Sequence, residues 1–438
     1  MENLIEVMDF LWGIPLTIFI VASGIFFSSK IRFIQITKIK SIFKNTFGKI
    51  NKNNSYKTIM SVLGGTVGSG NIAGIATAIA IGGPGAIFWM WLVALFSMAT
   101  KMVEVTLAVK NQKKDYKNNN MGGAMYYIKT ISGKFGKILA FIYSIALLIY
   151  VLCDSGFVQI NTVSTALEDT FKIPPLYIGI SLALLSLIII MGGLKRVSKV
   201  LEKSVPVMCI LYIVCALVVI VLNIKNIPES FYNIFKYAFK PAPVVGGFAG
   251  ASIISAISKG ASRGIFANEA GTGTSTTVHA TTTNKPLEQG LWGIVEVAFV
   301  SFIMCTITAL LVMTTNAWTT GLDGAPMVLE AFKGVYGSFG KYILCIMICL
   351  FAYTTYIGFY YEYTTCIRYL FKEKVAKYLK WFYLVPLLIA VYLPIEFIWT
   401  MADMSVGFII IPNIIALIIL APKFKEILRS EGKKIIGD

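Results

Sequence analysis

The stretch LGGTVGSGNIAGIATAIAIGGPGAIFWMW, Leu63 to Trp91, sets glycines in an otherwise apolar run. Glycine is the poorest helix former after proline, yet a bilayer admits spanning backbone almost only as helix. Three readings compete. Gly64-Gly68 and Gly70-Gly74 are GxxxG pairs, which let helices approach closely. Gly68-Gly70-Ala73 also fits the dinucleotide pattern, but that pattern needs a strand before it and a soluble βαβ unit around it. The third reading is a helix interrupted in mid-membrane, where freed amides and carbonyls bind substrate and ions. That reading requires a partner elsewhere in the chain.

The partner is GASRGIFANEAGTGTSTT, Gly260 to Thr277. The first stretch contains Gly70-Asn71-Ile72-Ala73-Gly74 and the second Ala267-Asn268-Glu269-Ala270-Gly271, both small-Asn-x-Ala-Gly.

The rest of the chain supplies the membrane context. Of its 438 residues 56% are hydrophobic and 14% charged, with mean hydropathy +0.74; soluble domains carry about 25% charged residues. Runs such as SLALLSLIIIM do not alternate, which argues against a transmembrane barrel. Eleven spans are predicted at 9–28, 57–80, 84–109, 136–165, 174–193, 204–224, 248–283, 288–316, 339–370, 379–398 and 402–421. The two glycine-rich stretches fall on the second and seventh, five apart, so they cross in opposite senses. That is the pattern of an inverted five-plus-five repeat. The first span lacks a basic leader and is read as retained.

The net charge of +17 does not signal nucleic acid, because Lys and Arg cluster in alternate loops. They crowd 30–52, 110–137, 195–203, 368–380 and 423–434. By the positive-inside rule the N-terminus is expected outside and the C-terminus in the cytoplasm; the expected location is the plasma membrane. The expected divisions are a span plus basic segment (1–56), a first five-helix repeat (57–224), an extracellular connection (225–247), a second repeat (248–421) and a tail (422–438). Seven cysteines form no CxxC pair, and His279 is the one histidine, so metal centres and enzyme constellations are not expected. A channel is disfavoured by the paired breaks.

At TVGSGNIAGIATAIAIGGPGAIFWMW, MATKMVEVTLAV, GGAMYYI, VQIN, SRGIFANEAGTG, FAYTTYIGFYYE, WTMAD and IPNIIAL the chain resembles the sodium:alanine/glycine symporters of the amino acid–polyamine–organocation superfamily. The resemblance implies an all-α, leucine-transporter-like fold with one extra N-terminal span, and cation-coupled uptake of small neutral amino acids. It departs at Ala267 and Phe359, where the family usually carries Ser and Trp; both replacements are smaller.

These readings give a set of expectations. The substrate carboxylate belongs at the half-helix starting near Gly70, where free N–H groups and the helix dipole favour an anion. Its ammonium belongs at carbonyls near Gly264, Phe266 and Ala267, with Phe266 and Phe359 as walls. Gly68, Asn71, Asn268, Gly271 and the fourth-span Gln159 complete the binding set, Asn161 lying near Gln159. Sodium, a hard cation, suits the carbonyls of Thr66 and Val67; the resemblance adds Thr354 and Thr355 on the ninth span. The alternatives are proton coupling through Asp154 or Glu269, or a symporter of the same fold for larger neutral amino acids. No cofactor beyond the coupling ion and no obligate protein partner is expected. Among the intramembrane acids, Glu104 is expected to pair with Lys101 and Glu269 with Arg263; Asp154 is expected near a cation or the ammonium, and Glu296 is unassigned.

Overall fold

The computed structural model describes residues 14–49, 55–115, 118–371 and 373–435. The chain is helical apart from a two-residue antiparallel ribbon, Lys113–Lys114 with Asn120–Met121. Among the described residues seven helices are long and apolar enough to cross a membrane, with shorter apolar helices at Pro15–Lys30, Ala73–Gly82 and Pro175–Met191.

Both glycine-rich stretches are interrupted helices. Helix Ser55–Thr66 stops, Ser69–Asn71 makes one tight turn, and Ala73–Gly82 resumes. Helix Ile253–Asn268 stops at Glu269, which adopts φ 53°, and Thr276–His279 resumes after Gly271 (φ 90°) and Gly273 (φ 75°). The packing role of glycine holds as well. An added Cβ on Gly64 would meet Leu201 and Val205 of helix Gly193–Leu222, and one on Gly358 would meet Gly64 and Gly65. One motif therefore serves close helix approach at its start and chain interruption at its end.

Two further irregularities lie outside the glycine-rich stretches. Wide π-type turns occupy Leu152–Val158 and Phe299–Met304, each inside a longer helix. Such turns recur at functional sites, and both face the breaks.

Three segments differ from their sequence reading. The 225–247 connection contains helix Ile227–Phe239. The expected span at 379–398 falls earlier, on Glu373–Tyr392, which is built of short helical pieces around Pro386. The last helix runs without interruption from Ile395 to Ile435, through Pro412, Pro422 and most of the segment read as a tail. Lysines put a membrane span near its end without ending the helix.

Candidate functional site

At the first break the ladder closes with Val67 N–H donating to Leu63 O (2.8 Å) and restarts with Asn71 N–H donating to Gly68 O (3.1 Å). Between them Ser69 N–H and Oγ–H both turn to Gln159 Oε1, at 3.2 and 2.8 Å. Gln159 directly follows the first π turn, which delivers its amide to the break. Its Nε2 donates to Asp154 Oδ1 (3.4 Å), and Tyr150 O–H donates to Asp154 Oδ2 (3.3 Å). Asp154 is thus one link behind the break, held by neutral donors.

Thr355 lies on the other side of Gly68. A Cβ there would sit 2.6 Å from Thr355 Oγ1 and 3.2 Å from Gln159 Oε1, so only glycine fits. The Thr355 hydroxyl is buried and hydrogen-bonded to nothing in the protein. Buried polar groups are nearly always satisfied, so this hydroxyl has bonding capacity left for a ligand from outside the chain. Thr354, its expected companion, is placed elsewhere. Its hydroxyl donates to Leu350 O (2.8 Å) and Phe351 O (3.0 Å) and lies 3.1 Å from Met208 Sδ. Neighbouring helical residues point about 100° apart, and only Thr355 faces the break. Thr66 and Val67 are buried beside it, the Thr66 carbonyl already accepting from Asn71 Nδ2 (3.0 Å).

The two motif asparagines do not offer their amides to a ligand. Asn71 Nδ2 braces its own break, its Oδ1 takes Cys305 Sγ (3.3 Å), and its carbonyl takes Thr308 Oγ1 (2.7 Å). Asn268 Nδ2 donates to Ser301 Oγ (3.0 Å), while its Oδ1 accepts Ala270 N–H (2.9 Å). Both breaks therefore lean on helix Pro286–Thr314 and its π turn. The diversion of Ala270 N–H removes a backbone donor from Phe266 O.

Phe266 lies over Gly70, where a Cβ would come within 2.9 Å of its ring. Trp399 packs on Phe266 (5.4 Å between centroids), and the Arg263 guanidinium sits 4.7 Å from the Trp399 ring centre. Arg263 makes a two-pronged ion pair with Asp403 at 3.0 Å on each prong. This corrects the expected Arg263–Glu269 pair: six residues of helix carry Arg263 toward the last helix. Phe359 packs on Tyr150 at 5.8 Å. Ala267 is buried in the same turn as Phe266, and Gly264 lies against Met90. Asn161 is not at the site; it donates to Ala390 O and Leu393 O.

The second break is closed by side chains. Lys101 Nζ donates to Glu269 O (3.1 Å) and Ser275 Oγ (2.9 Å) and lies 3.3 Å from Glu296 Oε1, with no solvent exposure. Lys101 therefore pairs with Glu296 and not with Glu104 of its own helix. Glu104 accepts from Asn413 Nδ2 (2.6 Å), which also donates to Gly271 O (2.9 Å). Tyr143 O–H caps Thr272 O, and Thr274 O–H caps the Glu269 carboxylate. A chain of bonds then leaves the break: Glu296 Oε2 to His279 Nε2 (2.9 Å), His279 Nδ1 to Gln289 Nε2 (2.7 Å), Gln289 Oε1 to Asn284 Nδ2 (2.7 Å), and Asn284 Nδ2 to Ser55 Oγ (3.0 Å). Since Gln289 donates to Nδ1, the imidazole proton is on Nε2 and points at Glu296. The chain ends at the start of the first interrupted helix.

Sequence reasoning missed Asn413, Asp403 and Glu362, the last accepting from Thr277 O–H at 3.1 Å. An ionisable residue inside an apolar span marks function by itself, and both acids carried that signal.

Two interrupted helices presenting backbone polar groups in a buried interior, one beside an unsatisfied hydroxyl, are the architecture of a secondary transporter. The chain belongs to the sodium:alanine symporter family, whose model matches residues 1–434. The transporter YflA of Bacillus subtilis is 35% identical over 96% of this chain and 91% of its own length. The sodium/alanine symporter AgcS of Methanococcus maripaludis is 32% identical over 98% of each. The probable sodium/glutamine symporter GlnT of Bacillus subtilis is 34% identical over 94% of this chain and 87% of its own. Among solved structures, a manganese transporter of Eremococcus coleocola shares the fold, with TM-score 0.53 and 12% identity over 87% of this chain and 80% of that one.

Proposed function

We propose that this protein is a sodium-coupled symporter that imports a small neutral amino acid by alternating access. The observation that carries the reading is the buried, unsatisfied Thr355 hydroxyl against Gly68, at the carbonyl end of helix Ser55–Thr66. A helix C-terminus carries negative partial charge, and oxygen donors alone suit sodium. Thr66, Val67 and Thr355 are the proposed ion ligands; Thr354 is not.

The substrate carboxylate takes the N-terminal end of the half-helix at Gly70 to Ala73, beneath Phe266. Its ammonium takes the carbonyls at Phe266 and Ala267, the first freed because Ala270 N–H is held by Asn268. Gln159 fixes Ser69 so that the amide end stays open. Asn71 and Asn268 hold the breaks in shape, and Gly271 supports the second through its bond to Asn413. The names of the relatives carry alanine and glutamine, so both are candidate substrates.

In this reading eleven spans form an inverted five-plus-five repeat behind one extra N-terminal span, in the plasma membrane with the N-terminus outside. Residues 57–224 and 248–421 are the two repeats. Each charge crossing with the substrate is worth about 2.3 kcal/mol per 100 mV, which one sodium converts into roughly fifty-fold accumulation.

The test is uptake of labelled alanine and glutamine into proteoliposomes with sodium, potassium or only a proton gradient imposed, at fixed voltage. Sodium-driven uptake supports the reading. Uptake driven by protons alone overturns the ion site and moves attention to Asp154.

A further inference from the structure

The segment after the first helix has a construction that transport does not explain. Helix Ile14–Lys30 ends, and two successive residues, Arg32 (φ 57°) and Phe33 (φ 53°), adopt left-handed backbone and turn the chain sharply. Non-glycine residues rarely take that conformation singly, so the turn is firmly imposed. Two short helices follow, Ile34–Thr37 and Ile39–Thr46, and then the turn Phe47–Lys49. At 1.5 Å per residue, 34–49 spans about 24 Å at most, short of a roughly 30 Å hydrocarbon core.

The face turned toward the protein is fixed. Ile42 and Thr46 are buried, Gln35 Nε2 donates to Ser28 Oγ (2.8 Å), and Asn45 Nδ2 donates to Ile435 O (2.5 Å). Adjoining these on the helix surface, Ile36, Ile39, Phe43 and Phe47 are exposed, each between 46% and 53%. Phe43 and Phe47 stack on one another at 5.5 Å, and Phe47 meets Trp292 at 5.2 Å. Lys40 and Lys44 are exposed beside this apolar strip. No Asp or Glu occurs between Asp9 and Glu104.

We propose that residues 34–49 lie in the plane of the membrane surface as an anchor for anionic phospholipid. Ile36, Ile39, Phe43 and Phe47 enter the acyl boundary, and Lys40 and Lys44 meet the headgroup phosphates. An apolar strip flanked by basic residues is the pattern of an interfacial helix, and the spanning helix that precedes it delivers it to the bilayer surface. Each lysine near an anionic surface contributes about 1 kcal/mol, or roughly fivefold in affinity. Nothing here depends on substrate or coupling ion, so failure of the transport reading leaves it standing, and the reverse.

The experiment is hydrogen exchange on the full chain in nanodiscs of phosphatidylcholine alone or with a one-third share of phosphatidylglycerol. Peptides covering 34–49 are expected to exchange about tenfold more slowly with the anionic lipid. Helix Ile227–Phe239 is the internal control: it also exposes Tyr232, Phe235 and Phe239, but it carries Glu229 as well as Lys236, and it should not respond. K40Q/K44Q should abolish the lipid dependence while keeping protection in phosphatidylcholine. F43S, at an exposed site, should speed exchange in both without lowering the melting temperature. Equal exchange in both lipids for the unmodified chain overturns the proposal. So does protection that grows with protein density and not with lipid charge, which would make a second copy the occupant.

Discussion

The two breaks share a motif and differ in what closes them. At the second, Glu269 O, Gly271 O and Thr272 O each accept from a side chain of another helix: Lys101, Asn413 and Tyr143. A buried ammonium is among the donors, so this break carries its own cation. At the first, the bracing comes mainly from Asn71 and Gln159, both neutral, and the hydroxyl beside Gly68 has no partner. A helix end rich in carbonyls and short of donors attracts a cation. The two halves differ accordingly: the second break is closed by the protein's own side chains, and the first keeps an unpartnered hydroxyl beside it.

The largest expected effect follows from removing the internal cation. Lys101→Met leaves Glu296 buried without its ammonium, and breaking a buried pair from one side costs about 3–5 kcal/mol. Against a total stability of about 5–15 kcal/mol, folded protein should fall sharply, read by thermal unfolding in detergent. Adding Glu296→Gln should recover part of the loss. A normal melting temperature for Lys101→Met would break the comparison at its root.

At the first break the prediction concerns ion affinity. Thr355→Val keeps the shape and deletes the unpartnered hydroxyl, so the sodium concentration for half-maximal uptake should rise about ten- to hundredfold, the worth of a hydrogen bond to a charged group. Thr355→Ser should restore it. An unchanged sodium requirement would mean that the unsatisfied hydroxyl is not a ligand.

Gly68, in the break, and Gly65, on helix Ser55–Thr66 just before it, then separate a crowded glycine from an uncrowded one. A Cβ at Gly68 meets Thr355 Oγ1 and Gln159 Oε1, whereas one at Gly65 meets nothing within 4 Å. Gly68→Ala should cost about 1–3 kcal/mol through overpacking and reduce uptake accordingly. Gly65→Ala should be neutral or stabilise by up to about 1 kcal/mol, since alanine is the better helix former.

The breaks themselves were legible, because glycine pairs around Asn in apolar runs have few uses in a membrane. Gln159 and Phe266 were legible as well, one as a polar residue in a span and the other as a motif neighbour. The partners across helices were not. Lys101 has Glu104 one turn away, and local spacing favours that pair; the choice of Glu296 is made by the packing of Gly290 and Gly293 against helix Gly85–Lys110, which brings the second helix within reach. Arg263 likewise chose Asp403 because the last helix passes there. The π turns left no trace in composition, yet they aim Gln159 and Ser301 at the breaks. Local chemistry is written along the chain; the pairing of charges depends on a helix crossing that no short stretch encodes.

The smallest effect is the sharpest check on that division. Thr354 and Thr355 are adjacent and chemically identical, so a sequence cannot rank them. The structure does: the Thr354 hydroxyl returns to the Leu350 and Phe351 carbonyls and touches Met208, while Thr355 turns to Gly68. A hydroxyl bonded back to its own helix adds a contact the helix does not need. Thr354→Val should therefore change the sodium requirement by less than about twofold and stability by less than about 1 kcal/mol. Measured beside Thr355→Val in the same liposomes, it controls for the general effect of losing a buried hydroxyl on this helix. Equal rises for both would show that the ion is held by the helix as a whole, and the asymmetry between the two breaks would then have to rest on Lys101 alone.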